Sequence, residues 1–224
     1  MRVAIVVAAY NEEKTIGKVL KDLRKHGYED VIVVNDGSAD RTAEKAQKAG
    51  SKTLTHIINR GQGAALQTGI SQAVKDGADI IVTFDADGQH HAKDIKRLIR
   101  PIEKGTTEVC LGSRFLKNTS NVPRFRRLIL KAGVISMRLF YGLKLTDSHN
   151  GFRAFSRKAA KKIKLKSDGM EHASEIIEQI AEHKLTYKEI PNTITYDQHT
   201  LEKGQSNSNA IRIITKMILN KLKR

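Results

Sequence analysis

The chain is 224 residues long, enough for one sizeable hydrophobic core, and is read as a single domain. Its lone cysteine, Cys110, excludes an internal disulfide, and no stretch reaches the roughly 18 to 20 uncharged apolar residues that a membrane-crossing helix requires. Against 24 Asp and Glu stand 40 Lys and Arg, a net charge of +16 that calls for a polyanionic partner, while the absence of Trp and an aromatic content of 5% argue against an RNA-binding module.

The N-terminus runs from Met1 straight into an apolar stretch, residues 3–8, without the layout of a signal peptide, so the chain is expected in the cytosol. That stretch predicts a first strand, and the spacing of Ile16, Val19, Leu20 and Leu23 predicts a helix from about Glu12 to about Gly27. A second strand is expected at 31–34, followed by "NDGSAD", in which Ser38 or Asp40 can cap the next helix. A third is expected at 54–58, followed by "NRGQGAA" and a helix carrying Ala65, Leu66, Gly69, Ile70 and Ala73 on one face. A fourth, at 80–84, ends in "DADGQ". Strands alternating with helices indicate a mostly parallel, Rossmann-like α/β sheet flanked by helices. Ligands of such sheets bind beyond the carboxyl ends of the strands, where this chain places the polar turns "AAYNEE", "NDGSAD", "NRGQGAA" and "DADGQ". No GxxxxGK[ST] element occurs, and "GQGAAL" lacks the third glycine of a dinucleotide fingerprint.

The two carboxylates of "DADGQ" stand at the mouth of an apolar strand. On extended chain, Asp85 and Asp87 point to roughly the same side, and the Gln89 amide two residues on can join them. Mg2+ or Mn2+ accepts such hard oxygen donors and completes its shell with water and a diphosphate.

"AAYNEE", "VVNDGSADRT", "NRGQGAA", "FDADGQ", "LGSRF" and "DSHNGFRAF" occur in the order and spacing of family 2 glycosyltransferases. Among these the chain most resembles the dolichyl-phosphate mannose or glucose synthases, polyprenyl-phosphate glycosyltransferases, from residue 3 to about residue 156. The resemblance implies a GT-A fold over residues 1–208, a GDP- or UDP-linked sugar donor (mannose or glucose), a divalent metal, and inversion at the anomeric carbon. It implies that Ala9, Tyr10, Glu12 and Asp36 hold the nucleoside, that Asp85, Ala86 and Asp87 lie at the donor, and that Asp87 and Gln89 ligate the metal. Arg114 and Arg126 match positions that grip a lipid phosphate, with Arg153 near the same cleft, so Asp85, Asp87, Arg114 and Arg126 form the implied catalytic set. The chain departs from the family pattern at Asn35, Gln62, His91 and Leu130, where Asp, Lys, Pro and Ser are frequent.

An anionic phosphate acceptor needs cations to position it, whereas a sugar or protein hydroxyl needs a general base, for which Asp147, Glu171 and Glu175 are the candidates. No acidic residue lies between Glu108 and Asp147, a block that holds eight Lys and Arg. Within it, "RFRRLILKAGVISMRLFYGLKL" mixes Leu128, Ile129, Ile135, Leu139, Phe140 and Tyr141 with basic residues. That mixture suits a core helix or an amphipathic helix lying in the headgroup layer of an anionic membrane. Residues 209–224 repeat the pattern as a basic C-terminal helix, with 201–209 a polar loop before it. The expected location is the cytosolic face of a membrane, on its surface, with a separate membrane subunit left open as a partner.

Overall fold

A computed structural model describes residues 1–116, 124–147 and 150–195. The basic C-terminal segment 209–224 and the loop 201–209 lie outside the described residues, as does the side chain of Arg126.

The first half of the chain alternates β1 (Val3–Ala9), α1 (Ile16–Lys25), β2 (Val31–Asn35), α2 (Thr42–Lys48), β3 (Lys52–Thr55), α3 (Gln62–Lys75) and β4 (Ile80–Asp85). The second half runs α4 (Ile95–Glu103), β5 (Val109–Ser113), α5 (Arg124–Tyr141), β6 (Arg153–Ser156), α6 (Arg157–Lys162), α7 (His172–Glu182) and β7 (Tyr187–Pro191). The strands form one sheet in the order β3-β2-β1-β4-β6-β5-β7. All pairings are parallel except those of β6, which runs antiparallel to both β4 and β5.

The apolar runs are continuous because both faces of the sheet are covered, and their two-residue period assigns each side chain to a face. Ala4 and Val6 of β1, Ile32 and Val34 of β2, and Val109 and Leu111 of β5 pack on one side with α3, α6 and α7. Ile5, Val7 and Ala9, Val31 and Val33, Val82 and Phe84, and Cys110 pack on the other with α1 and α4. Burial there pushes the Cys110 thiol up to about 12, so it serves as a small core residue. Between β1 and β4 the strand order reverses direction, and a crevice opens at the carboxyl ends of those strands.

Three sequence expectations are corrected. Helix α1 starts at Ile16 rather than near Glu12, because residues 12–15 form a turn in which Thr15 donates to the Glu12 carboxylate at 2.6 Å. Neither Ser38 nor Asp40 is the N-cap of α2, which is Arg41; Ser38 instead accepts from the Asn11 N–H, and Asp40 accepts from the N–H of Thr42. The third strand is Lys52–Thr55, not 54–58: the chain leaves the sheet at His56, and Ile57 and Ile58 are 100% and 68% exposed. Its departure is enforced by Asp36, which draws His56 Nδ1 to 2.7 Å and the Arg60 and Gly61 N–H groups to 3.0 and 2.6 Å.

Helix α5 unites the two readings of its segment. Leu130 and Met137 are buried against the core and Phe140 and Tyr141 pack at its edge, while Ile135 and Leu139 are 60% and 77% exposed beside the exposed Lys131 and Arg138.

Candidate active site

A cleft of about 750 Å³ lies at the carboxyl edge of the sheet. Its lining brings together Ala9, Tyr10, Glu12, Asp36, Asp85, Ala86, Asp87 and Gln89 from the ends of β1, β2 and β4 and the turns after them, facing Arg114 just after β5 and Arg153 at the start of β6. Of the residues expected at the site, these are all but Arg126, whose side chain lies outside the described residues. It falls in the first turn of α5, next to Arg127, whose guanidinium lies 5.9 Å from the centroid of the Phe115 ring. The start of α5 therefore adjoins the turn that carries Arg114.

The turns that follow β1 and β2 are tied to one another by hydrogen bonds. Asn11 adopts a left-handed φ of 53°, which lets its N–H reach Ser38 at 2.9 Å while its side-chain oxygen accepts from Ala39 N–H at 3.0 Å. The Asp36 N–H donates to Ala9 O at 2.8 Å, so the ends of β1 and β2 are clamped together. The Asp36 carboxylate is 2% exposed and holds the 56–61 loop against the cleft. Gly37 is required where that loop crosses: φ is 68°, and a Cβ would come within 2.6 Å of Asn59 N. At the start of α3, the N–H groups of Gly63 and Ala64 donate to Asp168 O at 2.8 and 3.2 Å. The glycines of "NRGQGAA" thus admit the 167–169 loop, which a Cβ at Gly63 would meet at 2.0 Å.

Asp85 ends β4, paired with Ala8. Its carboxylate accepts from Gln62 Nε2 at 3.1 Å and from His90 Nε2 at 2.9 Å, and it lies so close over Gly151 that a Cβ there would be 2.6 Å from Oδ2. Burial works to raise its pKa, but the His90 hydrogen bond and the charges around it hold the carboxyl below its ordinary value. Among the described residues, the hydrogen bond to the Asp87 carboxylate comes from the Gln89 N–H at 2.9 Å. Burial, with the negative charge of Asp85 beside it, pushes Asp87 up to about 6.

Two neighbouring carboxylates, one of them held well above its normal range, make a site short of positive charge, and this fits a divalent cation. Among the described residues no three His, Cys, Asp or Glu side chains are gathered to hold a metal by themselves. An ion at Asp87 and Gln89 would complete its shell from water and a bound diphosphate, as Mg2+ and Mn2+ do.

The opposite wall is built from long-range pairs. Arg114, 4% exposed, meets Asp147 through Nε at 2.6 Å and Nη2 at 3.0 Å, a bidentate pair that fixes the guanidinium plane. Arg153, 2% exposed, donates to Ala173 O at 3.3 Å, and burial lowers it to about 10, so it stays charged at neutral pH. Burial, with Arg153 nearby, lowers His172 to about 4, and its Nδ1 donates to Gly169 O at 2.8 Å.

Of the carboxylates weighed as general bases, Asp147 is committed to Arg114. Glu175 accepts from the Lys166 and Ser167 N–H groups at 2.8 and 2.9 Å. Neither of these lines the cleft, nor does Glu171. Sequence reasoning did not single out His90, Asn150 or His172 as cleft residues; His90 stood next to the quoted "DADGQ" and Asn150 within the quoted "DSHNGFRAF", whereas nothing local marked His172.

Residues 4–164 match the model of Glycosyl transferase family 2. The chain belongs to that family. It is 33% identical over 243 residues to the UDP-N-acetylglucosamine–dolichyl-phosphate N-acetylglucosaminyltransferase of Methanococcus voltae, covering 97% of this chain and 95% of the relative. It is 31% identical to the dolichol-phosphate mannosyltransferase of Pyrococcus furiosus, over 79% of this chain and 52% of that one. In three dimensions it resembles glucosyl-3-phosphoglycerate synthase from Mycobacterium tuberculosis, solved with Mn2+ and UDP-glucose, with a TM-score of 0.74 at 17% identity, over 97% of this chain and 76% of that one. This family 2 glycosyltransferase therefore has the GT-A fold, with the mostly parallel sheet and flanking helices expected from its sequence.

Proposed function

We propose that this glycosyltransferase moves a sugar from a nucleoside diphosphate to the phosphate of a polyprenyl lipid at a membrane surface. The carrying observation is the acceptor-side wall: Arg114, Arg153 and Asn150 face the cleft, and the Asp147 carboxylate behind them is spent on Arg114. His172 on the same wall, lowered to about 4, is a poor acceptor for a hydroxyl proton. Such a wall suits a nucleophile that is already anionic and needs positioning rather than deprotonation. The relatives agree in a lipid phosphate acceptor although they differ in sugar.

In this scheme Ala9, Tyr10, Glu12 and Asp36 hold the nucleoside, Asp85 and Ala86 border the sugar and diphosphate, and Arg114, Arg126 and Arg153 orient the lipid phosphate. An oxygen of that phosphate attacks the anomeric carbon as the bond from carbon to diphosphate breaks. The products are a glycosyl phospholipid and a nucleoside diphosphate, and a single displacement inverts the anomeric centre. A divalent cation at Asp87 and Gln89 would stabilise the charge on the departing diphosphate as a Lewis acid.

The outward face of α5, with Ile135 and Leu139 beside Lys131 and Arg138, would rest in the headgroup layer of a membrane, the 209–224 tail adding positive charge. No helix among the described residues is long and apolar enough to cross the bilayer.

The sugar is decided by a donor panel: full chain, Mg2+ or Mn2+, polyprenyl phosphate, and labelled GDP-mannose, UDP-glucose and UDP-N-acetylglucosamine. Mannose and glucose follow from the sequence resemblance, and N-acetylglucosamine from the M. voltae relative. Label extracted into organic solvent as an acid-labile, alkali-stable glycosyl phospholipid is the expected result. Transfer to a free sugar or peptide hydroxyl with none to the lipid would overturn the proposal.

A further inference from the structure

A buried run of hydrogen bonds joins the acceptor-side wall to Asp85, and its direction is fixed from one end. The Phe152 N–H can only donate, and it does so to Asn150 Oδ1 at 3.1 Å. That sets the Asn150 amide, whose Nδ2 then donates to Asn192 Oδ1 at 2.9 Å. Asn192 is set in turn, leaving its Nδ2 facing His90 Nδ1 at 3.5 Å. An amide nitrogen only donates, so Nδ1 must accept and the ring proton must lie on Nε2, which stands 2.9 Å from Asp85 Oδ2.

Every side chain in the run is enclosed: Asn150, Asn192 and His90 are 4%, 2% and 5% exposed. The His90 ring is held between Phe152, stacked at 5.2 Å, and Phe84, edge-on at 5.7 Å. The Asn192 N–H is pinned to Ser113 O at 3.1 Å, and Gly112 leaves the room the amide pair occupies, since a Cβ there would lie 3.1 Å from Asn192 Oδ1. The same Asn150 Nδ2 lies 3.4 Å from Asp147 Oδ2, the carboxylate paired with Arg114.

We infer that His90 and Asn192 are positioning residues for Asp85, fixing the His90 tautomer so that one N–H is always presented to the carboxylate and tying its orientation to the Arg114–Asp147 pair. With Gln62 on the other oxygen, each Asp85 oxygen receives one N–H, so the carboxylate cannot turn. The opposite tautomer would set the Nε2 lone pair against Oδ2 and release it. The inference rests on the proposed role of Asp85 at the donor.

The test uses the full chain and the nucleotide sugar that the donor panel identifies. Imidazole 15N NMR should find the His90 proton on Nε2, and Asn192→Leu, which removes the N–H facing Nδ1 without adding a charge, should let the Nδ1–H form appear. Turnover of Asn192→Leu should fall at least about tenfold, with affinity for the nucleoside diphosphate unchanged. His90→Gln, which keeps an N–H directed at Asp85, should stay close to wild type, while His90→Leu, which keeps the packing alone, should fall as Asn192→Leu does. A wild-type proton on Nδ1, equal impairment of His90→Gln and His90→Leu, or normal turnover of Asn192→Leu would each overturn the inference. Asp85→Asn separates the two levels: if it transfers sugar normally the role of Asp85 is lost, whereas if it is inactive while the His90 and Asn192 variants are normal, only the positioning is lost.

Discussion

The two walls of the cleft are made in different ways. The wall proposed to hold the donor is assembled from turns that directly follow β1, β2 and β4, and its side chains are held mainly by backbone N–H groups of adjoining turns, as at Asp36 and Asp87. The wall proposed to hold the acceptor is assembled from side chains far apart in the chain that hold one another, Arg114 with Asp147 and Asn150 with Asn192. A parallel sheet delivers strand ends to one edge by construction, so the donor wall follows from topology. Antiparallel β6, inserted between β4 and β5, interrupts that regularity, and there the protein relies on buried polar pairs. A donor-wall variant should therefore lose chemistry while keeping the fold, and an acceptor-wall variant should lose both.

The largest effect is expected at Asp87. Asp87→Asn should reduce sugar transfer about 1000-fold with little change in melting temperature, because the amide keeps the shape and loses the charge that holds a cation. The same residue gives a pH signature. A carboxyl raised to about 6 binds its proton more tightly in the folded than in the unfolded chain, where its pKa is near 4. Its contribution to the stability of the metal-free protein is thus fully present below about pH 4 and lost as pH rises through about 6. Denaturant titrations of wild type and Asp87→Asn without metal should diverge over that window, and Mn2+ affinity, read by electron paramagnetic resonance, should rise across it. Parallel stability curves would remove Asp87 as the titrating group.

Arg114→Ala should come next, costing about 3 to 5 kcal/mol of stability, since it strands the Asp147 carboxylate in the interior. Replacing the pair together, as Arg114→Met with Asp147→Leu, should recover much of that stability and none of the transfer. Urea unfolding of the three variants decides it: an Arg114→Ala protein as stable as wild type would make the acceptor wall as locally supported as the donor wall.

A smaller effect is expected outside the cleft. Ile135→Ser with Leu139→Ser should leave the melting temperature unchanged, because both side chains already face outward, and should weaken sedimentation with anionic vesicles about tenfold. Unchanged vesicle binding would transfer the membrane contact to other segments. The smallest is Gly17→Ala on α1, where a Cβ meets nothing within 4 Å. A gain of about 0.5 kcal/mol is expected there, with turnover unaltered. A loss instead would show the donor half to be less tolerant of local change than its backbone-held turns imply.

That the residues of the proposed donor wall share one cleft was legible because each sits within a few positions of a strand end. Asp85, Asp87 and Gln89 announce themselves beside "IIVTF", and the near-continuous burial of β1, β2 and β4 matches their apolar runs. The third strand was misplaced because Ile57 and Ile58 look like strand interior, and nothing local shows that Asp36, twenty or more positions earlier, pulls the following loop off the sheet. At Arg114, Arg126 and Arg153 the positive charge was plain from the residues alone, but not that Arg114 would be buried in a bidentate pair.

By itself, then, the sequence determined the alternating α/β order, the edge of the sheet at which the polar turns gather, and the carboxylates of the donor side, because hydrophobic period and turn chemistry are local properties. Only the tertiary structure decided which buried polar groups meet. Asn192 finds His90 across 102 positions and Asn150 across 42. Such pairings are dictated by the cost of leaving a donor or acceptor unsatisfied in the interior, and that cost is set by whichever groups the finished fold brings within reach.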